Sequence, residues 1–293
     1  MKQLLTTILI LIAAFQGYSQ DYVFRVMLNK GSNTYGSASS WEKLVTGTKL
    51  TDKQTLKLGD DSYIALLHSS GVTMELKESG EYKVSDLNSK ISNNQSSLLQ
   101  KYSQYIMDNI SEEDQSRLNA TGAVKRSIYD IDVYLNEYGE YYSNMQIFDW
   151  DDIEGVDSYI VTIRDKFDEE IFKKEVSRSE IAVDFSNPKL RSQELVVVYF
   201  DIKGEENTNS DGFGLKPIND ERLTVLQTEL ESLKSEFKGE TALKNLVIAS
   251  YYEENGLYTD AITCYRKAMA LSDDVDGMYE DFLIRNGFKD KTN

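Results

Sequence analysis

Between residues 41 and 87 the sequence alternates apolar and polar residues, and this alternation constrains the fold more than any other feature. Leu56 and Leu58 in one run, and Tyr82 and Val84 in a later run, occupy every second position. This period places one face of a β-strand in a core and the other face in water. Glycines separate the runs, at points where a chain reversal often requires a positive φ. The segment therefore predicts a small all-β module.

A first strand over Asp21–Asn29 extends this predicted module to residues 21–87, and Phe24, Val26 and Leu28 are expected on its core face. The pattern resembles the FecR-like periplasmic β-domain. The residues that carry the resemblance are Trp41, Leu44, Gly47, Leu50 and Gly71. The resemblance implies an extracytoplasmic β-domain with a sensing or adaptor role. FecR proteins also have a membrane span, and no later apolar run of this sequence is long enough to provide one.

The N-terminal residues 1–19 have the organisation of a cleaved signal peptide. Lys2 provides a positive charge, Leu4–Phe15 is almost entirely apolar, and Gly17 and Ser19 place small residues before a cleavage site. The apolar run is too short to cross ~30 Å of hydrocarbon as a helix, and an uncleaved signal anchor is the alternative. No cysteine follows that would carry a lipid. The leader resembles those of exported Bacteroidota proteins, and the expected location is periplasmic or secreted.

Composition limits the classes of partner. The chain has 32 Lys and Arg against 49 Asp and Glu, so its formal net charge is −17. This charge disfavours binding to nucleic acid and to anionic lipid, because both attract basic surfaces. A length of 293 residues predicts two or three domains. Cys264 is the single cysteine, so no intrachain disulfide can form.

From residue 88 to 127 the pattern predicts a helix and then a linker. Apolar residues recur at helical spacing at Leu98, Tyr102, Tyr105 or Ile106, and Ile110. The following segment, Ser111–Ser127, is polar and is the first expected domain boundary.

A second all-β module is predicted over residues 128–218. The strand candidates are Ile131–Leu135, Met145–Trp150, Ser158–Arg164, Glu170–Val176, Glu180–Phe185 and Leu195–Ile202, with a closing edge strand near residues 212–215. The segment FDWDDIEGVDSYIVTIRD resembles fibronectin type III and related immunoglobulin-like domains, with Trp150 in the place of their buried tryptophan. The resemblance implies a β-sandwich in which Tyr159, Val161 and Ile163 face the core.

The segment 221–287 is predicted to be helical and contains one tetratricopeptide-like (TPR-like) repeat. The residues at that repeat's spacing are Ala249, Tyr252, Gly256, Ala261, Tyr265 and Ala268. One repeat cannot bury its own faces, so Glu221–Phe237 and Met278–Asn286 are expected to act as flanking helices, or a second protein stacks there. The resemblance implies a shallow groove that binds a protein partner. Tyr251, Tyr258 and Tyr279 are the candidate exposed anchors, although for each one singly a core or capping role is favoured.

Residues with catalytic or metal-binding chemistry are few. His68 is the single histidine and lies near Ser69 and Ser70, but without a nucleophile motif it is expected to be a strand-end histidine. Cys264 is expected to act as a small buried hydrophobe, with a redox thiol as the alternative. No metal site and no cofactor are predicted, because one histidine and one cysteine are too few for zinc.

Two acidic segments contain oxygen-bearing side chains at alternating positions, as calcium loops do. They span residues 207–212 and 272–277, and Ile218 and Leu283 stand where an EF-hand requires glutamate. Both are therefore predicted to be solvated loops. Carboxylates also surround Trp150, at Asp149, Asp151, Asp152 and Glu154. Paired carboxylates can cleave a glycosidic bond, but strand alternation predicts that Asp149 and Asp151 form an exposed acidic surface.

The sequence thus predicts a multidomain protein with two all-β modules, FecR-like and fibronectin III-like, followed by a helical TPR-like segment. The favoured function is a non-enzymatic exported scaffold that binds a protein of the bacterial envelope. One alternative is a FecR-like extracytoplasmic sensor. Another is a glycan-binding module or polysaccharide-acting enzyme that stacks sugar on Trp41 or Trp150, although both tryptophans are expected in cores.

Overall fold

The computed structural model describes residues 22–38, 40–110, 131–205 and 211–290. The predicted signal peptide and linker lie outside these residues. The first β module contains two four-stranded sheets, ordered β4-β1-β6-β7 and β3-β2-β5-β8. Its strands are β1 Phe24–Lys30, β2 Thr34–Ser37, β3 Ser40–Lys43, β4 Lys49–Leu50, β5 Thr55–Leu58, β6 Tyr63–His68, β7 Thr73–Leu76 and β8 Gly80–Lys83. The β pattern predicted for residues 21–87 is therefore confirmed over the part of this range that the structure describes.

The sheet that contains β1 and β6 is buried on both faces, which differs from the prediction of one wet face. Ile64 and Leu66 point into the core between the two sheets, whereas Ala65 and Leu67 point into a core shared with the helices. A continuous apolar run such as this is typical of a strand covered on both sides. In β1 the register shifts between Val26 and Leu28. This bulge moves Leu28 from its predicted face into the helical core.

Two helices follow the first β module. Helix α1 spans Val84–Asn88 and helix α2 spans Ser97–Ile110. The face of α2 predicted from spacing is buried. Of the two alternatives Tyr105 and Ile106, Ile106 faces the core, since it is 6% exposed and Tyr105 is 37% exposed.

The second β module is a sandwich of a five-stranded sheet, ordered β12-β11-β14-β15-β9, and a two-stranded sheet of β10 and β13. Its elements are β9 Tyr138–Tyr141, β10 Met145–Asp149, β11 Tyr159–Asp165, β12 Glu170–Val176, β13 Glu180–Asp184, helix α3 Pro188–Arg191, β14 Val196–Ile202 and β15 Phe213–Pro217. Residues 131–135 contain only a bridge from Val133 to Trp150. The edge strand beside β15 is β9, paired parallel to it, and was not predicted.

Four helices form the C-terminal part, and we call them the helical unit: α4 Asp220–Ser235, α5 Ala242–Glu254, α6 Tyr258–Met269 and α7 Asp276–Arg285. Asn219 and Thr241 cap the first two, each accepting a backbone hydrogen bond from the first turn. Gly256, with φ of 71°, ends α5 in a left-handed conformation that suits glycine. None of the helices in the described residues is long and apolar enough to cross a membrane.

The helical unit lies between the two β modules and shares its core with the first. Eleven of the thirteen residues of α5 are buried. The shared core includes Met27 and Leu67 from the first module, Ile106 from α2 and Leu246 from α5. Asp274 at the start of α7 also accepts hydrogen bonds from Asn29 N and Thr46 Oγ1, both at 2.7 Å. The helices are thus a structural part of the chain's own core.

Helix α6 covers the open edge of strand β10 and the turn before it with side chains that accept hydrogen bonds from backbone N–H groups. Asp260 accepts from the backbone nitrogens of Tyr142 and Ser143, both at 2.7 Å. Thr263 Oγ1 accepts from Ile147 N at 2.8 Å. Strand edges with unpaired N–H groups tend to pair with other chains, and covering the edge prevents this. In a wider sheet a neighbouring strand accepts the hydrogen bonds of such backbone donors. Here side chains of helix α6 accept them instead.

Candidate functional site

A concave surface lies between α2 and α7, with the C-terminal half of α5 as its floor. We call it the α2–α7 groove. The residues that line its mouth are Lys101, Tyr102, Tyr105, Ser250, Glu253, Glu254, Arg285 and Asn286. The mouth has a volume of about 310 Å³, which is at the lower end of the range for small-ligand sites.

Two ion pairs cross the mouth of the groove and fix its walls. Arg285 of α7 donates to both carboxylate oxygens of Glu253 on α5, at 3.0 Å. Lys101 of α2 lies 2.6 Å from both oxygens of Glu254, which also accepts the Tyr102 hydroxyl. These partners, Lys101 first, lower the pKa of Glu254 below its ordinary value. The mouth of the groove therefore presents two cations and two carboxylates, which balance each other.

Beyond the mouth the groove narrows into an apolar slot. The residues that line it include Ile106, Ile110, Leu246, Tyr265 and Met278. The slot has a volume of only about 20 Å³, which is close to the space of one water molecule. Tyr105 separates slot and mouth, and its ring lies 5.8 Å from the guanidinium carbon of Arg285. A partner side chain enters this slot only if Tyr105 rotates.

Two of the three tyrosines predicted from the TPR-like pattern are not exposed. Tyr251 is 1% exposed and donates to Glu229 Oε2 at 2.7 Å, and Tyr279 is 5% exposed and donates to Asp149 Oδ2 at 2.7 Å. Tyr258 is half-buried against Phe288. The expectation that Tyr251 and Tyr279 are exposed is therefore wrong, because neighbouring helices and the sandwich cover these faces of the helix pair. The structure does not bring the three hydroxyls into one site.

The exposed aromatic of the groove is Tyr105, which sequence reasoning did not select as a contact residue. Its helix, α2, precedes the sandwich in the chain and packs on α5 and α7. The sequence does contain one indication of this exposed residue. Tyr105 and Ile106 are adjacent apolar residues, and only one of them fits the buried face of the helix. The predicted flanking helices themselves are present as α4 and α7.

His68 participates in a hydrogen-bonded line on the surface of the first β module. Its Nδ1 lies 2.7 Å from Ser70 Oγ, and its Nε2 lies 3.1 Å from Asn88 Oδ1. Because Nδ1 also accepts the backbone N–H of Ser70 at 3.1 Å, the proton of the neutral ring is on Nε2. Ser70 is exposed and lies in the turn between β6 and β7. The arrangement fixes this turn against helix α1, in agreement with a strand-end histidine.

Cys264 and the acidic segments have structural surroundings. Cys264 is 7% exposed, and burial raises the pKa of its thiol to about 12, so the thiolate needed for redox chemistry does not form at neutral pH. No cluster of three or more metal-ligating side chains occurs in the described ranges. Residues 273–275 form a short 3₁₀ turn, in which Asp274 binds the first β module. The other segment, 207–212, lies mostly outside the described residues.

The carboxylates around Trp150 are divided between two environments. Asp149 is 5% exposed, which contradicts the predicted exposed surface, and the Arg266 guanidinium lies 3.6 Å from its Oδ2. Burial raises the pKa of Asp149, and the Tyr279 hydroxyl and Arg266 oppose that rise. Asp151 accepts the Tyr134 hydroxyl at 2.6 Å. These contacts join the sandwich to α6 and α7, so Asp149 serves the interface between the modules.

The two tryptophans also differ. Trp150 is 2% exposed and belongs to the sandwich core, as predicted. Trp41 is 38% exposed and lies on strand β3, so its predicted core position is wrong. The alternation of a strand shows that two faces exist, but not which face is buried.

Comparison with known proteins does not place the chain in a family. No protein-family model matches the sequence, and no curated protein matches it.

Proposed function

We propose that the protein is an exported, non-enzymatic interaction protein of the bacterial envelope that binds a protein partner in the α2–α7 groove. The observation that carries this proposal is the groove itself, in which an exposed aromatic lies between an apolar slot and a mouth of paired charges. Peptide-binding grooves on helical surfaces combine such apolar anchor points with polar rims. The helical unit thus has two roles, since it also joins the β modules.

The groove favours a partner segment with one small apolar anchor. Tyr105 is the expected contact because exposed tyrosines next to an apolar pocket are frequent hot spots. The anchor displaces the Tyr105 ring and enters the slot between Ile106 and Met278. Polar groups of the segment then exchange with the Arg285–Glu253 and Lys101–Glu254 pairs at the rim. Because positive and negative charges balance there, we expect the affinity to depend weakly on salt.

Domain identities remain part of this proposal. The antiparallel helices α5 and α6, with Gly256 between them, support the TPR-like assignment of residues 221–287. The two-sheet arrangement with Trp150 in its core supports a fibronectin III-like assignment for residues 128–218. The eight short strands at the N-terminus support the FecR-like assignment of residues 21–87. An extracytoplasmic sensor with the same groove is the second candidate.

A site-specific crosslinking experiment tests the groove. A photo-crosslinking amino acid replaces Asn109, at the edge of the slot, and in a separate variant Lys189 on α3, far along the chain on the sandwich. Crosslinking in cells is expected to yield one defined partner from position 109 and not from position 189. Tyr105→Ser is expected to abolish that product, whereas Tyr138→Ser, which alters a tyrosine that is 75% exposed on strand β9, leaves it unchanged.

The same products from both crosslinker positions, or a product that persists in Tyr105→Ser, would exclude the groove as the docking site. Export is tested separately by N-terminal sequencing of the protein from the periplasmic fraction. A mature chain that begins after Ser19 is expected, and a full-length chain in the cytoplasm would contradict export.

A further inference from the structure

The outward face of the sheet β3-β2-β5-β8 is open, flat and basic, although the chain as a whole is strongly acidic. Strand pairing places two rows of side chains on this face. One row is Lys43, Thr34, Lys57 and Glu81, and the other is Trp41, Gly36, Thr55 and Lys83. The alternate residues Tyr35 and Leu56 pack toward the core on the opposite face. All four residues of β3 are exposed.

Trp41 is held in a fixed position on this face. The ammonium of Lys57 lies 4.0 Å from the centre of the indole ring and 2.9 Å from Glu81 Oε1. Next to Trp41 stands Gly36, where an added Cβ would lie 2.0 Å from Ser40 O, so no side chain can rise beside the indole at that position. The result is an exposed sheet face with one aromatic ring, which contacts the Lys57 ammonium and has no side chain beside it at position 36.

The charge of this face is opposite to that of the chain. Three lysines stand against one glutamate among its eight positions, whereas the whole chain carries −17. An extended ligand with regularly spaced negative charges therefore binds here and is repelled by most of the remaining surface.

We propose that this face binds an anionic polysaccharide rich in hexuronic acids. A uronate carboxylate draws the Lys57 ammonium away from the indole, a sugar ring stacks its C–H face on Trp41, and further carboxylates pair with Lys43 and Lys83. A protein ligand fits less well, because lysine is depleted at protein interfaces and the face lacks a cluster of apolar anchors. The small side chains of Thr34 and Thr55 keep the face flat and offer hydroxyl groups to the sugar. This site is separate from the α2–α7 groove and does not depend on it.

Binding of short oligogalacturonate, oligomannuronate and oligoglucuronate to the mature protein, followed by calorimetry and tryptophan fluorescence, tests the proposal. Because Trp150 is 2% exposed, a change in fluorescence on binding reports on Trp41. At least one uronate is expected to bind, with an affinity that falls as salt rises. Its methyl-esterified form has the same sugar backbone without charge. Its affinity is expected to be at least about ten-fold lower.

Trp41→Ala is expected to weaken binding by about 10- to 100-fold, the scale seen when one stacking platform is removed. Lys43→Gln with Lys83→Gln is expected to reduce the affinity and its dependence on salt. The matched control is Phe167→Ala, since Phe167 is 75% exposed and has the Lys166 ammonium 5.5 Å from its ring centre. This variant is expected to bind as the wild type does.

Several results would overturn the proposal. They are the absence of binding by every uronate, equal binding by Trp41→Ala, and equal binding of the methyl ester. If polyphosphate or single-stranded DNA binds as tightly and without need of Trp41, the face attracts any polyanion and is not a glycan site. A concentration-dependent dimer that Trp41→Ala dissociates would instead identify the face as a contact between two copies.

Discussion

The first β module and the sandwich are attached to the helical unit by different chemistry. The first module contributes apolar side chains of a sheet buried on both faces, such as Met27 and Leu28. The sandwich contributes backbone N–H groups of β10 and of the turn before it, and these donate to Asp260 and Thr263 of α6. The first contact depends on area removed from water, and the second on the satisfaction of buried donors. The two β modules are therefore expected to respond differently to the same kind of substitution.

The largest effect is expected from Asp260→Ala. Asp260 is fully buried and accepts from the backbone nitrogens of Tyr142 and Ser143 and from Gln146 Nε2. The variant leaves the two backbone donors without an acceptor inside the protein, whereas Gln146 Nε2 keeps its hydrogen bond to Ser143 O at 2.6 Å. We expect the free energy of unfolding to fall by about 3 to 5 kcal/mol. Chemical denaturation, monitored by circular dichroism, measures this change.

The matched control is Asp274→Ala on the side of the first β module. Asp274 is half-buried and accepts two hydrogen bonds, from Asn29 N and Thr46 Oγ1. Water can replace an acceptor there, so the expected loss is only about 1 kcal/mol. If the two variants lose the same stability, the polar contact of the first β module is as strong as that of the sandwich. The two attachments then do not differ in their chemistry.

The second-largest fall in the free energy of unfolding, after that of Asp260→Ala, is expected from Leu28→Ala in the apolar contact of the first β module. Leu28 has no exposed surface and packs in the core shared with the helices. Removing its branched side chain leaves a cavity, and we expect a loss of about 3 kcal/mol. The same denaturation experiment at low and high salt is expected to give the same value, because no charge is involved. A loss below about 1 kcal/mol would show that the sheet does not depend on the helices.

The smallest change in unfolding free energy at neutral pH is expected from Cys264→Ala. At alkaline pH the stabilities of this variant and the wild type are expected to diverge. Burial raises the pKa of the Cys264 thiol from 9.0 to about 12. Between these values the unfolded chain has lost a proton that the folded chain keeps, so stability falls as pH rises, by up to about 1.4 kcal/mol per pH unit. Below pH 8 this contribution is absent.

The measurement is the difference in unfolding free energy between wild type and Cys264→Ala from pH 7 to pH 11. The wild type is expected to lose stability faster above pH 9. Parallel curves would show that the thiol is reachable by water when α6 is in place.

The sandwich strands were predictable from the sequence because alternation is a local property. Strand β12 spans Glu170–Val176, as predicted, and β10 differs from its prediction by one residue at its C-terminal end. Strand β9 was missed because Tyr138–Tyr141 has no alternating pattern and pairs only with β15, far away in the chain.

The site was less predictable, since each of its features depends on contacts between distant segments. The buried state of Tyr251 follows from α2, α4 and α5 meeting in one core. The exposure of Trp41 depends on which face of its sheet the other sheet covers. The polar contact at Asp260 was not foreseen, because a helix residue gives no local sign that a strand edge lies beside it.

Hydrogen exchange of β10 and of the turn before it tests the central claim most directly, namely that a helix replaces a neighbouring strand and joins the modules. Ile147 N and Ser143 N are expected to exchange as slowly as the buried α5 amide of Leu246, because all three open only when the core opens. Exchange of Ile147 and Ser143 at the rate of an exposed strand edge, while Leu246 stays protected, would contradict the account.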